Sequence, residues 1–499
     1  MFLKPQKEDF RVIGYYLGKI SAGLGITMLV PLFVAFLFRE LNPALDFISG
    51  IGVSLALGCL LTFSRPKKTD ISLINGVLIA GISWLLAMAL SAVPLFLSGH
   101  YVSFLDSLFE TMSGLTTTGL SLTQDLDHLA HSYNLWRHVT HFLGGQGVVV
   151  IALAFFIKGV SGAFSLYVGE ARDEKILPNV IATARFIWLV TLVYFLLGSI
   201  VLTIIGLRLG IGPGRAIFHA VCIFMAGWDT GGFTPQSQSI LYYHSLSYEI
   251  ATFIIFFLGS INFGLHYLVW NGRRRELWRD IETRTYIATV TVTVFITLLG
   301  LVQLPFFANL PSALRVGFYQ VLSAHTGTGF MTVTASQFSR WNDLALIGII
   351  LAMAVGGCAC STAGAIKTLR IGIIFKGFWR QMKMILMPEQ GIVIEKIHHF
   401  RDTILGDNQI AAAGLIFLAY IFLYFAGSLV GVLCGYQFLP SLFESVSAAA
   451  NVGHTIGITA TTMPAVLKVT YILQMWIGRF EFMAIFGLFG FLISWAKGR

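Results

Sequence analysis

The chain has 499 residues, of which 56% are hydrophobic and only 11% charged, with a mean hydropathy of +0.78. An average soluble domain carries about 25% charged residues, so the composition excludes a water-soluble enzyme and points to lipid as the main solvent. The formal charge of +9 is gathered in clusters at 4–11, 65–68, 158–185, 273–284, 367–401 and 497–499, an alternation with apolar runs that speaks for membrane topology over nucleic-acid binding.

In chain order, a polar stretch at 1–10 is followed by apolar runs at 12–38 and 47–63, with no cleavable signal peptide expected. Further runs at 186–207, 250–270, 286–306, 411–433 and 469–495 reach the roughly 20 residues that a helix needs to cross hydrocarbon. Positive charge marks the cytoplasmic side. One assignment satisfies every cluster: both termini inside and spans that leave and return in pairs. The five cysteines lie in or beside apolar segments, as small packing residues rather than disulfides or zinc ligands.

An internal repeat organises the rest. LDSLFETMSGLTTTGL (105–120), RAIFHAVCIFMAGWDTGGF (215–233), ALRVGFYQVLSAHTGTGF (313–330) and PSLFESVSAAANVGH (440–454) each pass from an amphipathic turn through small residues to a glycine: Gly119, Gly232, Gly329 and Gly453. Every copy sits on the Lys/Arg-poor side between two spans. The aromatic-to-glycine spacing is 10 or 11 residues in three copies and 14 in the second, about one extra helical turn, and Gly227 competes with Gly232 as its key glycine. These half-length segments predict re-entrant loops. The expected fold is all-α, with four span–loop–span units around a central pore and two extra N-terminal spans. The unit boundaries are 1–68, 69–170, 171–275, 276–400 and 401–499.

A short helix ending halfway into the membrane aims its partly negative C-terminal carbonyls at the centre, where they favour a cation. Non-helical backbone survives at that depth only if protein buries it or it lines a wet cavity. Four Thr/Gly strands could then form a ring of carbonyls that replaces part of an ion's hydration shell.

TTTGL (116–120), TGGF (230–233), TGTGF (326–330) and NVGH (451–454) resemble the four filters of the Trk/Ktr/HKT potassium transporter superfamily. The likeness covers nearly the whole chain, and the two leading spans resemble those of the bacterial Trk branch. It implies potassium uptake through a filter formed by Thr117, Thr118, Gly119, Gly231, Gly232, Thr328, Gly329, Val452 and Gly453. Potassium itself would be held at Thr118, Gly119, Gly232, Thr328, Gly329 and Gly453. Glycine in all four copies matches the potassium-selective members.

Arg479, in WIGRFEF with Glu481 two residues on, is an ionisable group inside a span, which is costly and suggests function; the resemblance places it in the pore below the filter. AVGGCACSTAGAIKTLR (354–370) interrupts the third outer span with paired glycines and predicts an unwound segment. By resemblance it is a gating loop involving Gly356, Gly357, Ser361, Thr362, Gly364 and Lys367, with Lys367 at its cytoplasmic end. His138 and His141 read as structural; Asp125, Asp127 and Asp229 as mouth or loop charges; Glu110 and Glu444 as braces for the filter.

There is no GxxxxGK[ST] loop, HExxH or GxSxG pattern, no arginine-repeat voltage sensor, and no cytoplasmic stretch long enough for a folded enzyme. The expectation is a transporter of the plasma (inner) membrane without a cofactor. The resemblance adds a homodimer and a separate cytoplasmic nucleotide-binding regulatory subunit. Sodium- or proton-coupled potassium symport stays open, and a multi-span membrane enzyme is the competing class.

Overall fold

Apolar runs with no polar face leave the backbone one way to satisfy its hydrogen bonds in lipid, the helix. The computed structural model, which describes residues 6–63, 65–66, 71–147, 180–305, 309–388 and 393–497, accordingly consists of helices and one two-stranded hairpin. Lys67, Lys68, Lys158, Arg172 and Lys175, and so most of the basic cluster at 158–185, lie outside the described residues.

Two N-terminal spans come first: α1 (Lys7–Thr27) continuing through Met28 into α2 (Leu29–Leu37), then α3 (Leu41–Thr62). α1 and α3 approach closely because Gly18 and Gly58 face one another, and a side chain at either would press on the other's carbonyl. The first unit follows as α4 (Leu73–Leu97), α5 (Phe104–Leu115) and α6 (His131–Gln146). The second is α7 (Val180–Arg208), α8 (Pro213–Trp228), and the pair α9 (Leu246–Gly259) and α10 (Phe263–Trp270). In the third, α11 (Ile281–Leu301) and α12 (Leu310–His325) precede α13 (Asp343–Ala354) and α14 (Thr368–Ile385). The hairpin β1 (Lys396–His399) and β2 (Arg401–Ile404) leads to the fourth: α15 (Asp407–Leu433), α16 (Phe438–Ala449), α17 (Ala465–Arg479) and α18 (Met483–Ala496).

Each unit thus opens with an unbroken span, and the second, third and fourth close with a broken one. The runs at 250–270 and 469–495 are not the continuous spans that their hydropathy predicts. α9 and α10 meet at 98° around Ser260–Asn262, and α17 stops at Arg479, where Glu481 and Phe482 take positive φ of 49° and 68°. Three glycines seat the outer helices on the short ones. Gly144, Gly259 and Gly478 lie against the backbone of Leu115, Trp228 and Ala449, the last residues of three short helices, and a β-carbon on any of them would overlap that carbonyl. The outer spans can approach the short helices this closely only through glycine.

Candidate functional site

The four short helices α5, α8, α12 and α16 have 12, 16, 16 and 12 residues. At 1.5 Å per residue none is long enough to cross about 30 Å of hydrocarbon. Each ends four residues before its glycine: Leu115 before Gly119, Trp228 before Gly232, His325 before Gly329 and Ala449 before Gly453. The two candidate glycines of the second copy differ in position. Gly227 is inside α8, packed on Phe330 and Ile255, while Gly232 matches the other three. The longer spacing there comes from counting on Phe218; the position equivalent to Phe109, Tyr319 and Phe443 is Cys222.

The turn after each helix is the same. Thr117, Thr230, Gly327 and Asn451 are left-handed, with φ of 53°, 50°, 77° and 56°. The residue after each donates back to the helix: Thr118 N–H to Ser113 O (2.8 Å), Gly231 to Ala226 (2.7 Å), Thr328 to Ser323 (2.9 Å) and Val452 to Ser447 (2.9 Å). These bonds cap orphan carbonyls at the helix end. The glycines then take φ of 90°, 76°, 77° and 93°.

The four turns close on one another. A β-carbon on Gly119 would overlap the Gly231 carbonyl; on Gly232, that of Thr328; on Gly329, that of Val452; and on Gly453, that of Thr118. The contact therefore passes from the first copy through the second, third and fourth and back to the first. Thr116, Thr117, Thr118, Thr230, Thr326, Thr328, Asn451 and Val452 are fully buried around it. Hydroxyl pairs Thr116–Thr118 (2.8 Å) and Thr326–Thr328 (2.7 Å) stiffen two strands, and Asn451 Nδ2 donates to Thr118 Oγ1 (3.1 Å) across copies.

Two buried carboxylates brace the strands that leave the ring. Glu110 accepts from Leu122 N–H (2.7 Å) and the Ser121 hydroxyl, and Arg137 Nε lies 2.7 Å from it. Glu444 accepts from Ile456 N–H (2.9 Å), Ile458 N–H (3.2 Å) and the Thr459 hydroxyl. Arg137 also lies over the Phe233 ring at 4.1 Å, joining the first two copies. His141 stacks on Phe233 (4.1 Å, 11°) and touches Gly231; His138 bonds the Asn134 carbonyl. Asp229 is not a mouth charge. It caps the end of α8, fully buried, and accepts from Gln146 Nε2 at 2.8 Å. Asp127 ties the first loop to the second by accepting from Ser237 N–H (2.8 Å) and Oγ (2.6 Å).

Beneath the ring lies a single layer. Arg479 donates to Thr117 Oγ1 (3.2 Å), Thr362 O (2.7 Å) and Gly144 O (2.8 Å). Residues 355–367 between α13 and α14 are non-helical. They are held at their root by Gly356 N–H to Ile366 O (3.0 Å) and against the α9–α10 bend by Cys358 N–H to Ser260 O (3.0 Å). Thr362 Oγ1 donates to Trp228 O (3.0 Å) and lies 3.3 Å from the Thr230 hydroxyl, and Gly364 packs on the Ala450 backbone. Lys367 is the last residue of this segment, before α14. It is buried, donates to Ala363 O, and faces Glu481 at 3.8 Å; Arg370 also pairs with Glu481. The cavity lined by Gly144, Ser361, Ala363, Lys367, Arg479 and Glu481, among others, measures only about 30 Å³. A water needs some 10–15 Å³ by this measure, so the space below the ring has room for about two waters.

The model of the TrkH family, described as cation transport protein, matches residues 44–492. The chain is 30% identical over 488 residues to an uncharacterised cation transporter of Methanocaldococcus jannaschii, covering 97% of this chain and 96% of that protein. To the Trk system potassium uptake protein TrkH of Escherichia coli it is 28% identical over 491 residues, covering 96% and 98%. The crystal structure of the potassium transporter TrkH from Vibrio parahaemolyticus has the same fold, with a TM-score of 0.80 over 96% of this chain and 98% of that one at 24% identity. The chain belongs to the TrkH family of cation transport proteins, a family of transporters and not of enzymes.

Proposed function

We propose that this protein takes up potassium by letting the ion pass through the glycine ring, with the carbonyls of Thr118, Gly231, Thr328 and Val452 and the neighbouring glycines Gly119, Gly232, Gly329 and Gly453 replacing its water. The observation that carries the reading is the cyclic closure of the four turns, each glycine lying against the carbonyl of the next copy. Carbonyl rings of this kind take monovalent cations from water. The relatives named as potassium uptake proteins supply the ion.

In this reading Arg479 and residues 355–367 are the gate. A guanidinium directly below the ring repels a descending cation, and Thr362, bonded to Arg479, fills the exit. Gly356, Gly357 and Gly364 let the loop pack without side chains, and Ser361 and Lys367 line the small cavity beside Arg479. The arginines at 273–284 put their face inside the cell and the filter mouth outside, with both termini cytoplasmic. Assembly as a homodimer with a cytoplasmic nucleotide-binding subunit completes the reading.

The test is growth of a potassium-uptake-deficient bacterium on limiting potassium, with and without an accessory cytoplasmic subunit. Rescue by the wild type and loss of rescue by Gly329→Ser is the expected result; failure of the wild type in both settings contradicts it. Flux that persists after the sodium and proton gradients are collapsed separates a channel-like path from coupled symport.

A further inference from the structure

Away from the ring, on the arginine-rich face, three elements bring metal-ligating side chains together. Asp280 is the residue before α11, Glu282 is in the first turn of that helix, and His399 ends β1. One donor atom from each lies within 4.8 Å of the others. Both carboxylates are fully buried. Asp280 Oδ1 accepts from Glu282 N–H (2.8 Å), and its Oδ2 accepts from Phe400 N–H (3.2 Å) and lies 3.0 Å from His399 Nδ1. Apart from that imidazole, these donors are neutral backbone groups.

Glu282 extends the cluster inward. Its Oε1 accepts from Ala359 N–H (2.7 Å), in the non-helical segment 355–367, and its Oε2 accepts from Asn262 Nδ2 (3.2 Å), at the bend between α9 and α10. A buried ionised carboxylate is costly unless it is paired or binds a metal. An outer sphere of amide donors that fixes ligating carboxylates is what metal sites use to orient their ligands.

We propose that Asp280, Glu282 and His399 bind a divalent transition-metal ion of the zinc class. One imidazole nitrogen and two carboxylate oxygens form a donor set suited to such an ion. Bonds of about 2.0–2.1 Å in a tetrahedral site would bring the donors to about 3.3 Å from one another, a contraction within reach of side-chain rotation. The ion would join the hairpin to the helix that carries Glu282, and through Glu282 to Ala359 and Asn262. Movement of residues 355–367 would then work against its coordination shell. The competing account of the same geometry is an N-terminal carboxylate paired with protonated His399, which needs no metal.

The test is calorimetric titration of Zn2+ alone into the purified, untagged full-length protein in lipid nanodiscs, with millimolar Mg2+ present. Wild type is expected to take up one ion per chain, and His399→Ala and Asp280→Asn to bind it about 100-fold more weakly or not at all. Asp280→Asn keeps an acceptor at the helix start, so it reports on the site even if the histidine variant misfolds. No stoichiometric Zn2+ uptake by the wild type, or equal uptake by wild type and Asp280→Asn, overturns the proposal. Binding is read without ion flux, so the outcome is independent of whether potassium passes the ring.

Discussion

The ring and the layer beneath it follow opposite rules. In the ring four copies repeat one backbone conformation with different side chains: the left-handed position is Thr117, Thr230, Gly327 or Asn451, and only the following glycine position is constant. In the layer below nothing repeats among the described residues. It is built around one arginine, one unwound segment and one buried Lys367–Glu481–Arg370 group of the third and fourth units. Backbone oxygens are supplied by any residue, so a task done by carbonyls can be copied four times with loose sequence. A task done by a charge needs one specific side chain, and four guanidiniums under one ring would repel each other.

The sharpest way to break this contrast is to disturb one of the four equal positions. Gly329→Ala puts a β-carbon into the Val452 carbonyl at a φ of 77°. The left-handed conformation alone costs a side chain about 1–2 kcal/mol, so potassium-over-sodium selectivity in flux assays is expected to fall by about tenfold or more, and Gly453→Ala should behave alike. If the two differ widely, the copies are not equivalent.

For stability the largest loss is expected from Glu110→Ala, which strands Arg137 in a buried site. Removing one partner of a buried pair costs about 3–5 kcal/mol. Glu444 accepts only neutral donors among its hydrogen bonds described above, and Glu444→Gln should cost less, about 1–3 kcal/mol; thermal unfolding in detergent compares them. Below the ring, Arg479→Ala should raise potassium flux with selectivity unchanged. A barrier lowered by about 1.4 kcal/mol gives a tenfold rise, and unchanged conductance would remove Arg479 from the gate. The smallest effect is expected from Asp127→Ala, which cuts an exposed tie to Ser237. Stability should move by no more than about 1 kcal/mol, with flux and selectivity intact.

Much of the ring was legible because glycine is the one residue that tolerates both the left-handed turn and the contact with a neighbouring carbonyl, so it recurs at fixed spacing. The second copy misled because its aromatic marker is displaced: Cys222 occupies the place that Phe109 and Phe443 fill. The breaks at 260–262 and 480–482 were hidden because hydropathy averages over a span and three residues do not lower it. Gly259 and Gly478 were the available signal, but a glycine in an apolar helix reads equally as packing. The burial of Asp229 and Lys367 was not legible for a related reason. Their neighbours Gln146 and Glu481 come from elsewhere in the chain, and burial of a charge depends on partners that spacing does not reveal.

The account stands on ions occupying the axis of the ring. A structure determined in Rb+ or Tl+, with anomalous scattering to locate the ion, tests this directly. Peaks among the Thr118, Gly231, Thr328 and Val452 carbonyls are the expected result. Heavy-ion density elsewhere with none on that axis would contradict it.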